Sequence, residues 1–304
     1  MTSNETGATG ETGANHANRK HTAIGANPLA FSSLFEPISV RGQIFRNRLI
    51  MGSMHTGLED SARDFPKWSA YLTERAKGGV GTIVTGGFSP NRLGALIPFG
   101  STLMSVKAAK QHQPVTEAVR AQGAHIFLQL LHAGRYAFHP LAVAPSRLKA
   151  PISPFAPFAM PGWMIESTIN DFARSAELAE KAGYTGIEIM GSEGYLINQF
   201  LTQRTNQRKD RWGGELDGRA RFALETVRRC RDRVSSRFVI MFRLSLVELV
   251  ESGNSLEAAC TVGKWLEAAG VDILNSGIGW HEFASPDAIP ATSRGGKGFT
   301  ARQR

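Results

Sequence analysis

The sequence predicts an α/β protein of the TIM (β/α)8-barrel type, with six of the eight β/α units present. Amphipathic helices that end at Ala-Gly or Gly-Gly are each followed by a short strand that is apolar on both faces, as parallel strands covered by helices must be. No hairpin signal interrupts this alternation. Polar residues follow nearly every strand, which favours a barrel over a doubly wound sheet, whose first turn should read GxGxxG.

Six strands are predicted, at 48–51, 82–85, 125–130, 186–190, 238–243 and 272–275. The helices predicted between them cover 64–77, 167–182, 217–234 and 255–269, the second of them capped by Ser167. The final twenty residues, SPDAIPATSRGGKGFTARQR, carry neither an apolar strand nor a helical stripe. The two strands that would close the barrel are therefore not predicted, and we expect an incomplete barrel domain over 29–283.

Composition restricts the remaining functional classes. Residues 1–28 are rich in Gly, Ala, Thr and Asn and predict a disordered tail without a targeting signal, and 284–304 predict an irregular basic tail. The net charge of +9 comes without any nucleic-acid-binding motif, and no apolar run approaches the roughly 20 residues of a membrane span. Cys230 and Cys260 lie in predicted helices, and we expect both to be buried. A soluble cytoplasmic protein without a metal site is expected.

Polar and small residues follow the predicted strands at the end where a parallel barrel binds its ligands. In chain order they include Ser53, Met54, His55, Gly86, Gly87, Gln129, Glu193, Tyr195, Arg243 and His281. The set offers hydrogen-bond donors, one fixed cation, glycines that let a flat ligand lie close, and a tyrosine and a histidine for proton transfer. It predicts a site for a planar redox cofactor.

Five stretches carry a family resemblance: IMGSMHTGLE, FLQLLHAGR, GSEGYLINQFLTQRTNQRKDRWGG, FRLSLVELVE and NSGIGWHE. Over about 34–282 they resemble the bacterial NADPH-dependent 2,4-dienoyl-CoA reductases of the old yellow enzyme superfamily. The resemblance implies an FMN at the barrel mouth and reduction of 2,4-dienoyl-CoA thioesters in the β-oxidation of unsaturated fatty acids. Full-length members also use a 4Fe-4S cluster, FAD and NADPH, whose binding regions we do not find, so this chain alone is expected to lack NADPH-dependent turnover.

The resemblance also implies a role for each matching residue. Tyr195 would donate the proton and His281 would assist it. The implied FMN contacts are Ser53, Met54, His55, Gly86, Gly87, Gln129 and Arg243. The implied acyl-CoA contacts are Arg204, Thr205, Asn206 and Gln207. Gln129 and Arg243 would face the pyrimidine edge of the flavin, and the sequence offers no obvious acidic partner for Arg243.

Two positions separate this branch from the generic enone reductases. Those enzymes usually place two donors, His with Asn or His, where this chain has Met190 and Glu193. Neither residue can donate a hydrogen bond at neutral pH, which favours the thioester reading. Two alternatives stay open: a generic enone reductase, and a non-enzymatic remnant, because an open six-stranded sheet exposes apolar edges.

Overall fold

The computed structural model describes residues 31–282, so the tails predicted at 1–28 and 284–304 lie outside the described residues. The strands are β1 (Ile38–Val40), β2 (Gln43–Phe45), β3 (Ile50–Met51), β4 (Thr82–Phe88), β5 (His125–Leu130), β6 (Val143–Ala144), β7 (Phe158–Ala159), β8 (Gly186–Gly191), β9 (Val239–Val247) and β10 (Ile273–Ile278). The helices are α1 (Phe65–Lys77), α2 (Val106–Arg120), α3 (Gly162–Lys181), α4 (Leu196–Leu201), α5 (Leu216–Arg233) and α6 (Leu256–Ala269).

Six strands form one parallel sheet in the order β3, β4, β5, β8, β9, β10. The sheet curls until its two edges face each other: Ile50 of β3 and Ile273 of β10 both line one cavity of about 340 Å³. Among the described residues β3 and β10 do not pair, so this is an incomplete TIM barrel of six strands, which confirms the predicted fold class. The six strands match the predicted ones with shifted ends.

An antiparallel hairpin, β1 paired with β2, precedes the barrel strands. Its turn places Arg41 at φ 52° and Gly42 at φ 71°, the two consecutive left-handed residues that a tight hairpin turn requires. The expectation of an uninterrupted alternation without hairpins is therefore wrong. The hairpin brings Phe45 into the apolar interior of the barrel, and Arg41 Nε contacts Asp272 Oδ1 at 2.5 Å.

The helices differ from the prediction in three places, one of which is the short helix α4, which was not predicted. Helix α3 begins at Gly162 after Pro161, so Ser167 lies within the helix and the predicted cap is wrong. Helix α2, which carries Pro114 in its interior, is not among the four helices predicted. It forms nevertheless, capped by Ser105, whose Oγ accepts from Ala108 N at 3.1 Å.

The core lies on both faces of the sheet. Helices α1 to α6 pack their apolar faces on the outer face, where Trp68 and Phe222 are fully buried. Cys230 belongs to this layer, whereas Cys260 is exposed, which corrects the expectation that both are buried. None of the helices among residues 31–282 combines the length and apolarity that a bilayer crossing requires.

Candidate active site

A tyrosine and a histidine meet at the carboxyl end of the sheet. After β8 the chain turns sharply through two left-handed residues, Glu193 at φ 61° and Gly194 at φ 86°. A side chain on Gly194 would collide with Tyr136 and Trp280, so the turn requires glycine there. The turn sets Tyr195 facing His281, with 2.9 Å between Tyr195 Oη and His281 Nε2. The structure therefore brings the two predicted catalytic residues within hydrogen-bond distance of each other.

The phenol of Tyr195 is held in its neutral form. Burial raises the pKa of Tyr195 well above its ordinary value, and the negative charge of Glu193 acts in the same direction, while Arg243 opposes them. A buried phenol with a raised pKa keeps its proton at neutral pH. It gives up this proton only when an anion forms on a substrate beside it. The hydrogen bond from His281 would stabilise the phenolate left behind.

Arg243 has an acidic partner, contrary to the expectation from sequence. Its Nη2 lies 2.6 Å from Glu193 Oε1, and Glu193 Oε2 lies 3.6 Å from His281 Nε2. The left-handed turn after β8 brings this carboxylate back over β9, a contact that the separation of 50 residues along the chain does not reveal. Arg243 Nε remains buried with no hydrogen-bond partner among residues 31–282.

Below this pair, Glu188 connects two amide side chains. It is fully buried, and it accepts hydrogen bonds from Gln129 Nε2 at 2.7 Å and from Asn275 Nδ2 at 2.6 Å. The pKa of Glu188 is raised above its ordinary value, chiefly by burial and in part by the charge of Glu193, although the two amide donors and Arg243 oppose the shift. Arg243 and Asn275 also line a cleft of about 250 Å³ that opens between the two edges of the sheet.

The loop after β3 carries three of the predicted flavin contacts. His55 lies between two carboxylates, with Nδ1 at 3.2 Å from Glu59 Oε1 and Nε2 at 3.1 Å from Asp60 Oδ2. Hydrogen bonds to Asp60 and Glu59 raise the pKa of His55 to about 10. Ser53 and Met54 precede it, both at least partly accessible to solvent. The roles of these three residues as flavin contacts stay predictions.

The paired glycines lie inside β4 and not after it, because the strand continues to Phe88. A Cβ on Gly86 would collide with the Glu59 carboxylate and stand 3.0 Å from His55 Cα. One on Gly87 would stand 2.8 Å from Leu131 Cβ and 3.2 Å from Gln129 Oε1. Both positions thus need glycine for the approach of neighbouring residues, and their contact with a flavin stays a prediction.

The predicted substrate stretch divides into exposed and buried residues. Thr205 and Asn206 are buried, and their side chains donate to main-chain carbonyls, including Gln199 O at 2.8 Å and Phe200 O at 2.7 Å. Arg204 is partly exposed, with Nη2 at 3.5 Å from Glu282 Oε2. Gln207 is exposed. The role of all four residues in binding substrate stays a prediction.

Sequence reasoning assigned no role to a second buried cluster at the mouth. The Glu282 carboxylate pairs with Arg135 and accepts from Tyr136 Oη at 2.7 Å. Arg135 ends the HAGR stretch, Tyr136 follows it directly, and Glu282 ends the WHE stretch, so the resemblance could have pointed to this cluster. Glu188 had a plainer signal, because a charged residue within the apolar strand GIEIMG must face a buried polar site.

Two observations indicate that the residues at the barrel mouth are suited to bind a flavin. Arg243 Nε is a buried donor without a partner among the described residues. Gln129 uses its Nε2 for Glu188 and Met190, and Oε1 receives no hydrogen bond from any described residue. The polar pyrimidine edge of a flavin presents both the acceptors and the N–H group that such a pair would bind. No three metal-ligating side chains cluster within residues 31–282.

Comparisons with known proteins agree with this chemistry. A family model described as the NADH:flavin oxidoreductase / NADH oxidase family matches residues 33–292. Metal reductase of Desulforamulus reducens is 35% identical over 84% of this chain and 39% of its own length. NADPH dehydrogenase of Halalkalibacterium halodurans is 31% identical over 81% of this chain and 73% of its length.

A solved structure of 2-naphthoyl-CoA reductase in complex with 2-naphthoyl-CoA superposes with a TM-score of 0.79 at 30% identity, covering 88% of this chain and 43% of that chain. The chain thus spans about two fifths of the length of both the metal reductase and the naphthoyl-CoA reductase.

Proposed function

Because the chain belongs to the NADH:flavin oxidoreductase / NADH oxidase family, we propose that its site reduces 2,4-dienoyl-CoA thioesters, with Tyr195 as proton donor. This reaction is a specific case of the more general activity of the family, that of a flavin-dependent oxidoreductase of the old yellow enzyme type. The chemistry that FMN supplies when bound and reduced is hydride transfer to the conjugated substrate. We place the reaction in the cytoplasmic breakdown of unsaturated fatty acids.

The observation that carries the proposal is the hydrogen bond of 2.9 Å between Tyr195 and His281. Addition of a hydride to a conjugated thioester leaves an enolate that must be protonated at carbon. A phenol whose pKa is raised by burial keeps its proton until that enolate forms. The imidazole of His281 then stabilises the phenolate, which makes this pair an acid of the required kind.

Two observations support a thioester as the substrate. Met190 is buried beside Gln129 Nε2 at 3.8 Å, and Glu193 pairs with Arg243, so neither residue offers the donor that clamps a simple enone carbonyl. A structural relative carries an aromatic CoA thioester, 2-naphthoyl-CoA. Partly exposed Arg204 supplies a cation for the phosphates of such a ligand.

We assign the flavin contacts to the strand ends that surround the cleft. The proposed contacts are Ser53, Met54, His55, Gly86, Gly87, Gln129 and Arg243. The proposed acyl-CoA contacts are Arg204, Thr205, Asn206 and Gln207. Buried donors near the pyrimidine edge would also stabilise the negative charge of the reduced ring.

A generic enone reductase is the second candidate, and the match to an NADPH dehydrogenase favours it. The two candidates share the Tyr195 acid but differ in how the substrate carbonyl is held. An enone reductase would have to bind a ketone without a donor from Met190 or Glu193. The substrate preference of the reduced protein therefore distinguishes them.

The test uses the purified full chain loaded with FMN, reduced anaerobically with dithionite, and mixed with 2,4-hexadienoyl-CoA or 2-cyclohexenone. Reoxidation is followed at the visible flavin band, which needs no NADPH relay. We expect the dienoyl-CoA to reoxidise the flavin at least roughly tenfold faster. Faster reoxidation by cyclohexenone would establish the enone reductase instead, and a protein that binds no flavin would be the non-enzymatic remnant.

A further inference from the structure

Glu188 occupies a central place in the interior of the barrel. Its two carboxylate oxygens are shared between two strands: Oε2 accepts from Gln129 on β5, and Oε1 accepts from Asn275 on β10. The residue is fully buried and faces Gln129 directly in the register of β5 with β8. Such a buried acidic side chain is costly unless its partners satisfy it, so its position calls for an explanation.

We propose that Glu188 is a positioning residue of the flavin site, which turns the carboxamide of Gln129 so that Oε1 is free to accept a hydrogen bond from the ligand. This inference rests on the proposed function. A carboxamide rotated by half a turn keeps its shape but exchanges its donor and acceptor. An ionised carboxylate only accepts, so it selects the orientation in which Gln129 Nε2 faces Glu188 and Oε1 faces the interior.

The two amides depend on Glu188 to different degrees. Asn275 is also held by Ser276, whose main-chain N–H donates to Asn275 Oδ1 at 2.8 Å. Among the described residues, the side chain of Gln129 has only the weak additional contact of Nε2 with Met190 Sδ at 3.8 Å. Loss of the acceptor at residue 188 should therefore release Gln129 and leave Asn275 in place.

The presented oxygen is complementary to one group of the ligand. Gln129 Oε1 lies beside Gly87, where an added Cβ would stand only 3.2 Å from it, so glycine at this position avoids crowding the oxygen. The imide N–H at the pyrimidine edge of a flavin is a donor of the required kind. The opposite orientation would place an NH2 group against that N–H and leave two donors facing each other.

The substitution Glu188→Gln tests the inference because it keeps the shape but offers one acceptor and one donor. The single oxygen of the new amide can occupy the place of only one carboxylate oxygen, facing either Gln129 or Asn275. We expect it to face Asn275, because Ser276 also holds that side chain in place. We expect the dissociation constant for FMN, measured by quenching of flavin fluorescence, to rise about tenfold. In the background Gln129→Leu, the same substitution should change it less than about twofold, because the residue on which it acts is gone.

Glu248→Gln is the matched control. Glu248 is buried like Glu188 and likewise accepts from an amide, Asn198 Nδ2, at 2.7 Å, but it does not contact Gln129. It reports the general effect of neutralising a buried carboxylate. Unchanged FMN affinity in Glu188→Gln, an equal loss in both Gln129 backgrounds, or a loss no larger than in Glu248→Gln would each overturn the inference.

A second measurement separates this inference from the proposed function. If the wild-type chain binds no FMN, the proposed function fails, and the orientation of Gln129 is then read without a ligand. The side-chain NH2 resonances of Gln129 in 15N-labelled protein should shift in Glu188→Gln and stay in place in Glu248→Gln. Resonances that do not move in Glu188→Gln would show that Glu188 does not hold the amide.

Discussion

The two halves of the barrel interior are built from opposite kinds of residue. Towards the amino ends of the strands the interior is apolar and closed by the hairpin, with Phe45, Val84, Phe127, Val239 and Met241 in mutual contact. Towards the carboxyl ends it is polar, and Gln129, Glu188, Asn275, Arg243 and Glu193 form hydrogen bonds and an ion pair.

The difference shows which half serves stability and which serves chemistry. In the apolar half every side chain is satisfied by packing alone. In the polar half, Arg243 Nε has no partner within the described residues, although burying a polar group without a partner costs free energy. A bound ligand that accepts a hydrogen bond from this group would remove that cost.

The largest effect should come from Tyr195→Phe, which removes the acid and its hydrogen bond with His281. We expect reoxidation of the reduced flavin by 2,4-hexadienoyl-CoA to slow by about 10²- to 10⁴-fold, the usual contribution of a general acid. FMN affinity and thermal unfolding should stay near the wild type, since only a hydroxyl is lost. The measurement is stopped-flow absorbance together with a flavin titration, and full activity in the variant would remove the proton-donor assignment.

In the apolar half, Phe127→Ala should destabilise the fold by about 3–5 kcal/mol. Phe127 is fully buried, and its ring packs edge-on against Phe45 at 6.1 Å between centroids. Urea unfolding monitored by circular dichroism gives the change in free energy of unfolding. Should the alanine variant fail to fold, Phe127→Leu is the milder probe, with an expected loss below about 1.5 kcal/mol. A loss of FMN affinity without a loss of stability would contradict the division between the halves.

In the polar half, Arg243→Met should weaken FMN binding more than Arg243→Lys does. Both lose the guanidinium geometry, but lysine keeps a positive charge opposite Glu193, now 2.6 Å from the guanidinium. We expect about tenfold weaker binding for Arg243→Met, and the midpoint potential of bound FMN should fall in this variant because the reduced ring loses a cation, and fall less in Arg243→Lys, which keeps one. A potential that stays at the wild-type value would place Arg243 away from the flavin.

The smallest expected effect is on the pH dependence of stability, and it comes from His55 in the loop after β3. The pKa of His55 is raised to about 10 by Asp60 and Glu59, so its stabilising contribution is present in full below its ordinary pKa of about 6.5 and is lost as the pH rises through 10. The difference in urea midpoint between wild type and His55→Gln should shrink between pH 7 and pH 10. His125→Gln is the control, because burial lowers the pKa of His125, and its difference should stay constant in that range.

The sequence was sufficient for the features that repeat along the chain. Alternating helices and doubly apolar strands predicted the parallel sheet, because that periodicity is local, and the strand ends located Tyr195, His281, Gln129 and Arg243 at one mouth. It did not predict α2, a helix that forms with Pro114 in its interior. The hairpin before β3 was also not predicted, although the Arg-Gly pair of its turn is visible in the sequence.

The motifs by themselves indicated the family by resemblance, since they report which groups are available at the strand ends. Only the tertiary structure decided how those groups are paired. Glu193 neutralises Arg243 because a left-handed turn folds the chain back across β9. Glu188 holds Gln129 and Asn275 because the curl of the sheet brings β5, β8 and β10 around one buried carboxylate. Pairings of this kind depend on distances between strands far apart in the chain, and the order of residues along the chain does not encode those distances locally.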